Sequence, residues 1–337
     1  MWKYILSSAL LVSLGTIGWV IFRSNQELLE NEKAENAVLS PFSKIASEKL
    51  EPKRLADIYP MGKPINIMLL GIDRRSKAEY SYRTDIMIML SIDVETNNAV
   101  LVSLPRDLWH SGNKLNALYI VNGWEALQKA TKEATGLRPD KYVLTDFEDF
   151  SWIVDAMGGV PVHVDRTFAD SNYPVDATLE YQTVSFIQGE ELLNGERALI
   201  YSRSRKGTNG EGSDWARMRR QHKILVGMLD AISQPSSLFN PMVVEKAFNM
   251  VTQGRMDTNL ILTDAKYLWD FYKDRDKYTI HSLFLDYEYL YSPPPENYGG
   301  AWTIVPIDGS YQVFQQKVQS RLMGITADGS AHEITDL

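Results

Sequence analysis

Between positions 203 and 223, seven of twenty-one residues are basic: Arg203, Arg205, Lys206, Arg217, Arg219, Arg220 and Lys223. Only Glu211 and Asp214 oppose them, so the segment is net +5 inside a 337-residue chain of net charge -8. A guanidinium presents its N–H donors in a planar fork that matches phosphate oxygens. Such a concentration within an acidic chain points to a local anion site rather than a generally adhesive surface. Arg203 and Arg205 point the same way on an extended chain. Arg217, Arg220 and Gln221 share a face on a helix. Arginine in a first helical turn opposes the macrodipole unless an anion is bound, and the free N–H groups at that end already favour phosphate. The bland reading is a solvated basic face on a helix capped by Asp214, and spacing alone does not choose.

Acidic candidates stand earlier. Asp73 follows an apolar run and Asp85 opens the next one. Two carboxylates at strand ends could share Mg2+, which takes few protein oxygens and completes its shell with water and phosphate. They could equally close turns beside Arg74, Arg75 and Arg83. In residues 103–107 Pro105 ends a strand and directs Arg106 outward, either to phosphate or into a salt bridge with Asp107. Residues 206–213 hold three glycines, as a lid or a plain connector would, and lack a phosphate-cradling Gly-Lys-Ser/Thr ending. There is no cysteine, which excludes disulfides and thiolate chemistry. The five histidines show no paired metal-ligand spacing, and His110 and His222 are expected at the surface.

The elements that must position these residues alternate. Strands are expected over 65–71, 85–93 and 99–104, the last two joined as a hairpin through residues 95–98. Helices are expected over 119–135 (ending at Gly136), 146–157, 190–200 and 215–232, with a strand over 160–164. Further helices are expected over 238–251 and 263–272, then a stiff loop at 292–295 and an edge strand over 302–306. Ile224, Leu225, Met228 and Leu229 read as core. The pattern predicts an α/β fold, a mixed central β-sheet sandwiched by helices.

Ahead of it, residues 4–22 form an uncharged apolar run between Lys3 and Arg23, long enough to span a bilayer. The α-amine and Lys3 ahead of the run, with mostly acidic residues after it, place the N-terminus in the cytoplasm and the rest outside, as a single-pass membrane protein; a cleaved signal peptide is the rival reading. The expected organisation is a transmembrane signal anchor (1–23), a Pro-punctuated extracytoplasmic stalk (24–61), a catalytic domain (62–235), a C-terminal extension without assigned role (236–325) and a tail (326–337). The acidic balance argues against a nucleic-acid partner.

Read in order, residues 66–73, 82–85, 102–107, 114–117, 150–164, 193–199, 201–205 and 214–221 resemble the LytR–CpsA–Psr family, over about residues 62–233. The resemblance implies a phosphotransferase that moves a glycopolymer from a polyprenyl-pyrophosphate carrier to a peptidoglycan hydroxyl, or in some relatives to protein. It implies Mg2+ at Asp73 and Asp85, and pyrophosphate contacts from Arg83, Arg106, Arg203, Arg205, Arg217 and Gln221. Arg220, on the same helix face, is counted with them. Asp73, Asp85, Arg83 and Arg106 are the expected catalytic set. A hydrolase of the same carrier and a lipid- or polymer-binding protein without turnover are the rival readings.

Overall fold

The computed structural model describes residues 64–74, 83–175, 180–232, 257–261 and 274–325, with Asp264, Tyr267, Leu268 and Phe271 between the last two stretches. The expected anchor, stalk, 238–251 helix and tail lie outside the described residues. Among the described residues, no helix is long and apolar enough to cross a membrane.

The first strands among the described residues are β1 (Ile65–Ile72), β2 (Thr84–Asp93) and β3 (Asn98–Ser103), paired antiparallel in sequence order. Their apolar runs are nearly continuous because both faces of the sheet are covered. A two-residue-per-strand hairpin, β4 (Trp109–His110) and β5 (Asn113–Lys114), leads into α1 (Leu115–Thr135), which ends at Gly136 in the left-handed conformation. Next, β6 (Lys141–Asp146) runs parallel to β1. Helix α2 (Phe147–Ala156) follows at once, its N-terminus capped by Asp146, whose side chain accepts the Asp149 amide at 2.9 Å.

A satellite layer then forms from β7 (Val160–Val164), β8 (Phe168–Pro174), β9 (Tyr181–Phe186), β10 (Gly189–Leu193), α3 (Gly195–Arg203) and α4 (Asp214–Ile232). The helix expected over 190–200 divides here. Its first residues are strand β10, paired with β7, and α3 begins only after Asn194, whose side chain caps the Arg197 amide at 2.9 Å. Gly195 is required at that junction: a Cβ there would lie 2.0 Å from the Ser151 carbonyl oxygen of α2. The satellite has its own core, including Val160, Val162, Phe168, Phe186, Tyr201 and Ile224.

The remainder is β11 (Asp257–Thr258), β12 (Thr279–Phe284), β13 (Leu290–Tyr291), β14 (Val305–Pro306) and α5 (Gln312–Leu322). The mixed central sheet has the order β11-β6-β1-β2-β3-β12. Residues set apart as a C-terminal extension therefore belong to the main fold. β12 is an edge strand parallel to β3, and α5 buries Phe314, Val318 and Leu322 in the same core as Val100, Val102 and Leu127. That core, with α1, fills one side of the sheet. On the other side Ile65 and Ile67 meet Tyr267 and Phe271, and Ser103 meets His222 of α4. This is the expected helix–sheet–helix sandwich.

Candidate anion site

Because β1, β3, β6 and β12 are mutually parallel and β2 runs against them, four carboxyl ends and the start of β2 lie at one end of the sheet. Open α/β folds bind ligands at that end. Asp73 leaves β1 there, its amide donating to the Arg83 carbonyl at 3.1 Å. Asp85 lies two residues further on, beside the bulge where the β1–β2 register shifts between Gly71 and Ile72. Arg106 comes off β3 and donates Nη1 to both Asp85 carboxylate oxygens, at 2.9 and 3.0 Å. Asp107 lies 3.5 Å from Arg106 Nε and also receives Lys114 Nζ at 2.8 Å.

Helix α4 brings the second half of the site. Its cap is Ser213, not Asp214: the Ser213 hydroxyl accepts the Ala216 amide at 3.1 Å. Asp214 is left free to hold two arginines, Arg205 Nε at 2.8 Å and Arg217 Nη2 at 3.4 Å. Burial works against the Asp214 carboxylate, but Arg217, Arg205 and Arg106 outweigh it and hold its pKa below the ordinary value. Arg217 is only 6% exposed, and its pKa is lowered to about 10, by burial first and then by repulsion from Arg205 and Arg106. It stays charged at neutral pH. Its buried Nε–H finds no hydrogen-bond partner among the described residues. Arg217, Arg205 and Arg106 concentrate more positive charge here than Asp214 and Asp85 offset, and an arriving anion would meet that excess and a donor that no described residue uses.

The turn that presents Arg205 is fixed by a residue that the sequence did not single out. Asp170, 1% exposed, accepts the Ser204 hydroxyl at 2.7 Å and the amides of Arg205 and Lys206 at 3.1 and 3.0 Å. Burial opposes its ionisation, yet these donors and the Asn172 amide hold its pKa below normal. Arg203, two residues before Arg205, is half-buried and stacks its guanidinium over Phe147 at 4.1 Å while donating to the Tyr173 hydroxyl at 3.3 Å. Arg83 is exposed beside the start of β2.

A model of the LytR_cpsA_psr family matches residues 28–319. The chain belongs to this family. Among its relatives, the Bacillus subtilis (strain 168) polyisoprenyl-teichoic acid–peptidoglycan teichoic acid transferase TagV is 28% identical over 299 residues, 86% of this chain and 71% of TagV. The same organism's TagU, of the same description, is 27% identical over 78% of each chain. The crystal structure of B. subtilis TagV superposes with a TM-score of 0.58 at 26% identity, covering 77% of this chain and 97% of that one.

Within this family fold, not every expected residue faces the anion site. Arg220, counted as a pyrophosphate contact, is 2% exposed and already committed: Nε donates to the Tyr201 carbonyl at 2.9 Å, Nη1 to the Glu211 carbonyl and carboxylate, and Nη2 to the Ser204 carbonyl. It staples the 201–211 segment to α4 and has little capacity left for a ligand. Gln221 is also buried, its Nε2 donating to the Ser202 carbonyl at 3.2 Å. The same staple corrects the lid reading of the glycine-rich loop. Besides Arg220, Thr208 Oγ1 accepts the Ala169 amide at 3.0 Å and Asn209 donates to the Thr167 carbonyl at 2.7 Å, so the loop is bolted to the satellite sheet. His222, expected at the surface, is fully buried against Phe284, with its Nε2 2.8 Å from the Ser103 hydroxyl. His110 is partly buried and sits 3.3 Å from Glu133.

Proposed function

We propose that this chain is a phosphotransferase that moves a glycopolymer from a polyprenyl-pyrophosphate carrier to a peptidoglycan hydroxyl, forming a phosphodiester. The observation that carries the reading is Arg217, buried with an unused Nε–H donor and set with Arg205, Arg106 and Asp85 at the carboxyl end of the sheet. The descriptions of TagV and TagU support the same reaction class.

The chemistry follows from charge. An acceptor hydroxyl attacks the phosphorus that carries the glycan; the bond to the bridging oxygen breaks, and polyprenyl phosphate leaves with the electron pair. Negative charge grows on the diphosphate oxygens, so fixed cations there lower the barrier more than covalent chemistry could. Arg205 and Arg217 bind the diphosphate, and Arg106 spans the distance between it and Asp85. The half-buried Arg203, stacked on Phe147 and bonded to the Tyr173 hydroxyl, is the further cation of the expected pyrophosphate set.

The donor set at the sheet end suits Mg2+ held jointly with substrate. Among the described residues, no cluster of three or more carboxylate or imidazole groups could cage a metal alone. Asp73 and Asp85 supply two hard oxygen ligands, which is the Mg2+ pattern when phosphate and water complete the shell. Bound there, the ion would neutralise diphosphate charge. Asp73 and Asp85 would hold the ion, and Arg106, paired with Asp85 through Nη1, lies beside them to meet the phosphate. Asp73 or Asp85 could take the acceptor's proton. We place the enzyme at the cell membrane through residues 4–22, with this domain outside.

Incubating the chain with a lipid-pyrophosphate-linked saccharide, Mg2+ and peptidoglycan fragments tests the reading. Coupled product with release of polyprenyl phosphate is expected. Phosphate release without coupling would make it a hydrolase, and retention of intact lipid a binder.

A further inference from the structure

We propose that Trp302 is a stacking platform for a sugar ring of the acceptor glycan, placing the acceptor beside Arg106. The inference rests on the transferase reading and gives a role to a stretch that the sequence left unassigned. Trp302 is 49% exposed and is the only exposed tryptophan among the described residues. Its backbone is held on both sides. Thr303 Oγ1 and the Ile304 amide donate to the Asp107 carbonyl at 2.8 and 3.2 Å, and the Trp109 amide donates to the Ile304 carbonyl at 3.0 Å. Ser292 Oγ donates to the Thr303 carbonyl at 3.0 Å, and the β13–β14 pairing of Tyr291 with Val305 closes the base. The segment carrying the indole is therefore bolted to the residues that immediately follow Arg106.

Chemistry points to the occupant. An aromatic face stacks on the C–H face of a pyranose, joining apolar contact with a weakly electrostatic preference for polarised C–H groups. Lys114 Nζ lies 5.8 Å from the Trp302 ring centroid, where it can donate to a sugar hydroxyl while keeping its 2.8 Å bond to Asp107. Contacts run from Arg106 through Asp107 and Lys114 to Trp302, and on the other side Asp214, which holds Arg217, acts on Arg106 through its charge. The platform stands on the Asp107–Lys114 side of Arg106, whereas Asp214 with Arg205 and Arg217 acts on Arg106 as a separate group. An attacking hydroxyl must enter opposite the leaving group, so the ring on the Trp302 side belongs to the acceptor rather than to the carrier-linked glycan. Anchoring one acceptor sugar converts its attack into an effectively intramolecular step.

The test titrates a peptidoglycan-backbone tetrasaccharide of alternating N-acetylated amino sugars into the full chain and follows the indole N–H signals by NMR. Saturable shifts are expected, with affinity lowered at least tenfold in Trp302→Ala and largely kept in Trp302→Phe. Leu192→Ala, exposed on β10, serves as the control and should bind like the unaltered chain. Equal binding by Trp302→Ala, or no binding by the unaltered chain, would overturn the platform. A parallel transfer assay separates the two claims. If transfer proceeds and Trp302→Ala leaves the acceptor KM unchanged, or raises the donor KM instead, the platform falls and the transferase stands. If the tetrasaccharide binds through Trp302 but nothing is transferred, the transferase reading falls alone.

Discussion

Two arginines three positions apart on α4 do opposite work. Arg220 satisfies three carbonyls and Glu211 in a dry setting, whereas Arg217 is tied to Asp214 and keeps a donor unused. Replacing Arg220 by alanine leaves the buried Glu211 carboxylate with the more distant Arg166 Nε, 3.7 Å away, and should cost about 3–5 kcal/mol of stability, the usual penalty for breaking a buried pair from one side. Arg217→Ala removes an under-used cation and should change stability by less than about 1 kcal/mol, while lowering turnover roughly 100-fold or more, as loss of a preorganised charge-stabilising donor does. Urea denaturation and the transfer assay, run on both variants, check the pair. Equal stability losses would mean that Arg217 is structural too. The sequence could place both residues on one helix face but could not say which one the 201–211 segment would cover. Asp170 was invisible for a related reason: its partners are backbone amides about thirty-five positions away, and no side-chain spacing encodes them.

At the scale of elements, what matters is how α4 is held against the sheet that carries Arg106. One tether is the Ser103–His222 contact, made from the last residue of β3 to the middle of α4. Burial lowers the His222 pKa from 6.5 to about 3, so the folded protein keeps the ring neutral while the unfolded chain protonates it. A depressed histidine pKa gives full stability above pH 6.5 and a progressive loss as pH falls from there towards 3. By pH 5 the loss from this one group should reach about 2 kcal/mol. Denaturation midpoints at pH 7.5 and pH 5, compared with those of His222→Gln, isolate it; an unchanged acid slope in the variant would contradict the assignment. The second tether is close packing. A Cβ on Gly227 would stand 2.2 Å from the Pro161 carbonyl oxygen, so Gly227→Ala must push α4 off β7. Loss of both stability and transfer is expected, measured by melting temperature and by the assay; a melting temperature within a degree of the unaltered chain would show that α4 is not packed this way. Strands β1 to β3 were legible because two covered faces leave no choice but apolar residues. β10 and β12 were not. β10 is short and only its last residue is buried, and β12 gains its strand character only by pairing with β3, 181 positions earlier at Thr279 and Asn98.

For the molecule as a whole, the site is a cationic focus on a chain of net charge -8. A diphosphate should be drawn to that focus and repelled elsewhere, with binding that weakens as salt rises. Acids and arginines brought together from strands early in the chain and from α4 were recognisable as types in the sequence. Their convergence follows from strand direction, which brings the carboxyl ends of β1 and β3 to the same end of the sheet. The most direct check is calorimetric titration of a short prenyl diphosphate with Mg2+ into the full chain, comparing it with Arg217→Ala and with Arg219→Ala, an exposed arginine on the same helix. The expected result is binding that Arg219→Ala leaves nearly intact and Arg217→Ala weakens at least about tenfold, the worth of one hydrogen bond to a charged group. Equal affinity in Arg217→Ala and the unaltered chain would contradict a diphosphate site at this end of the sheet.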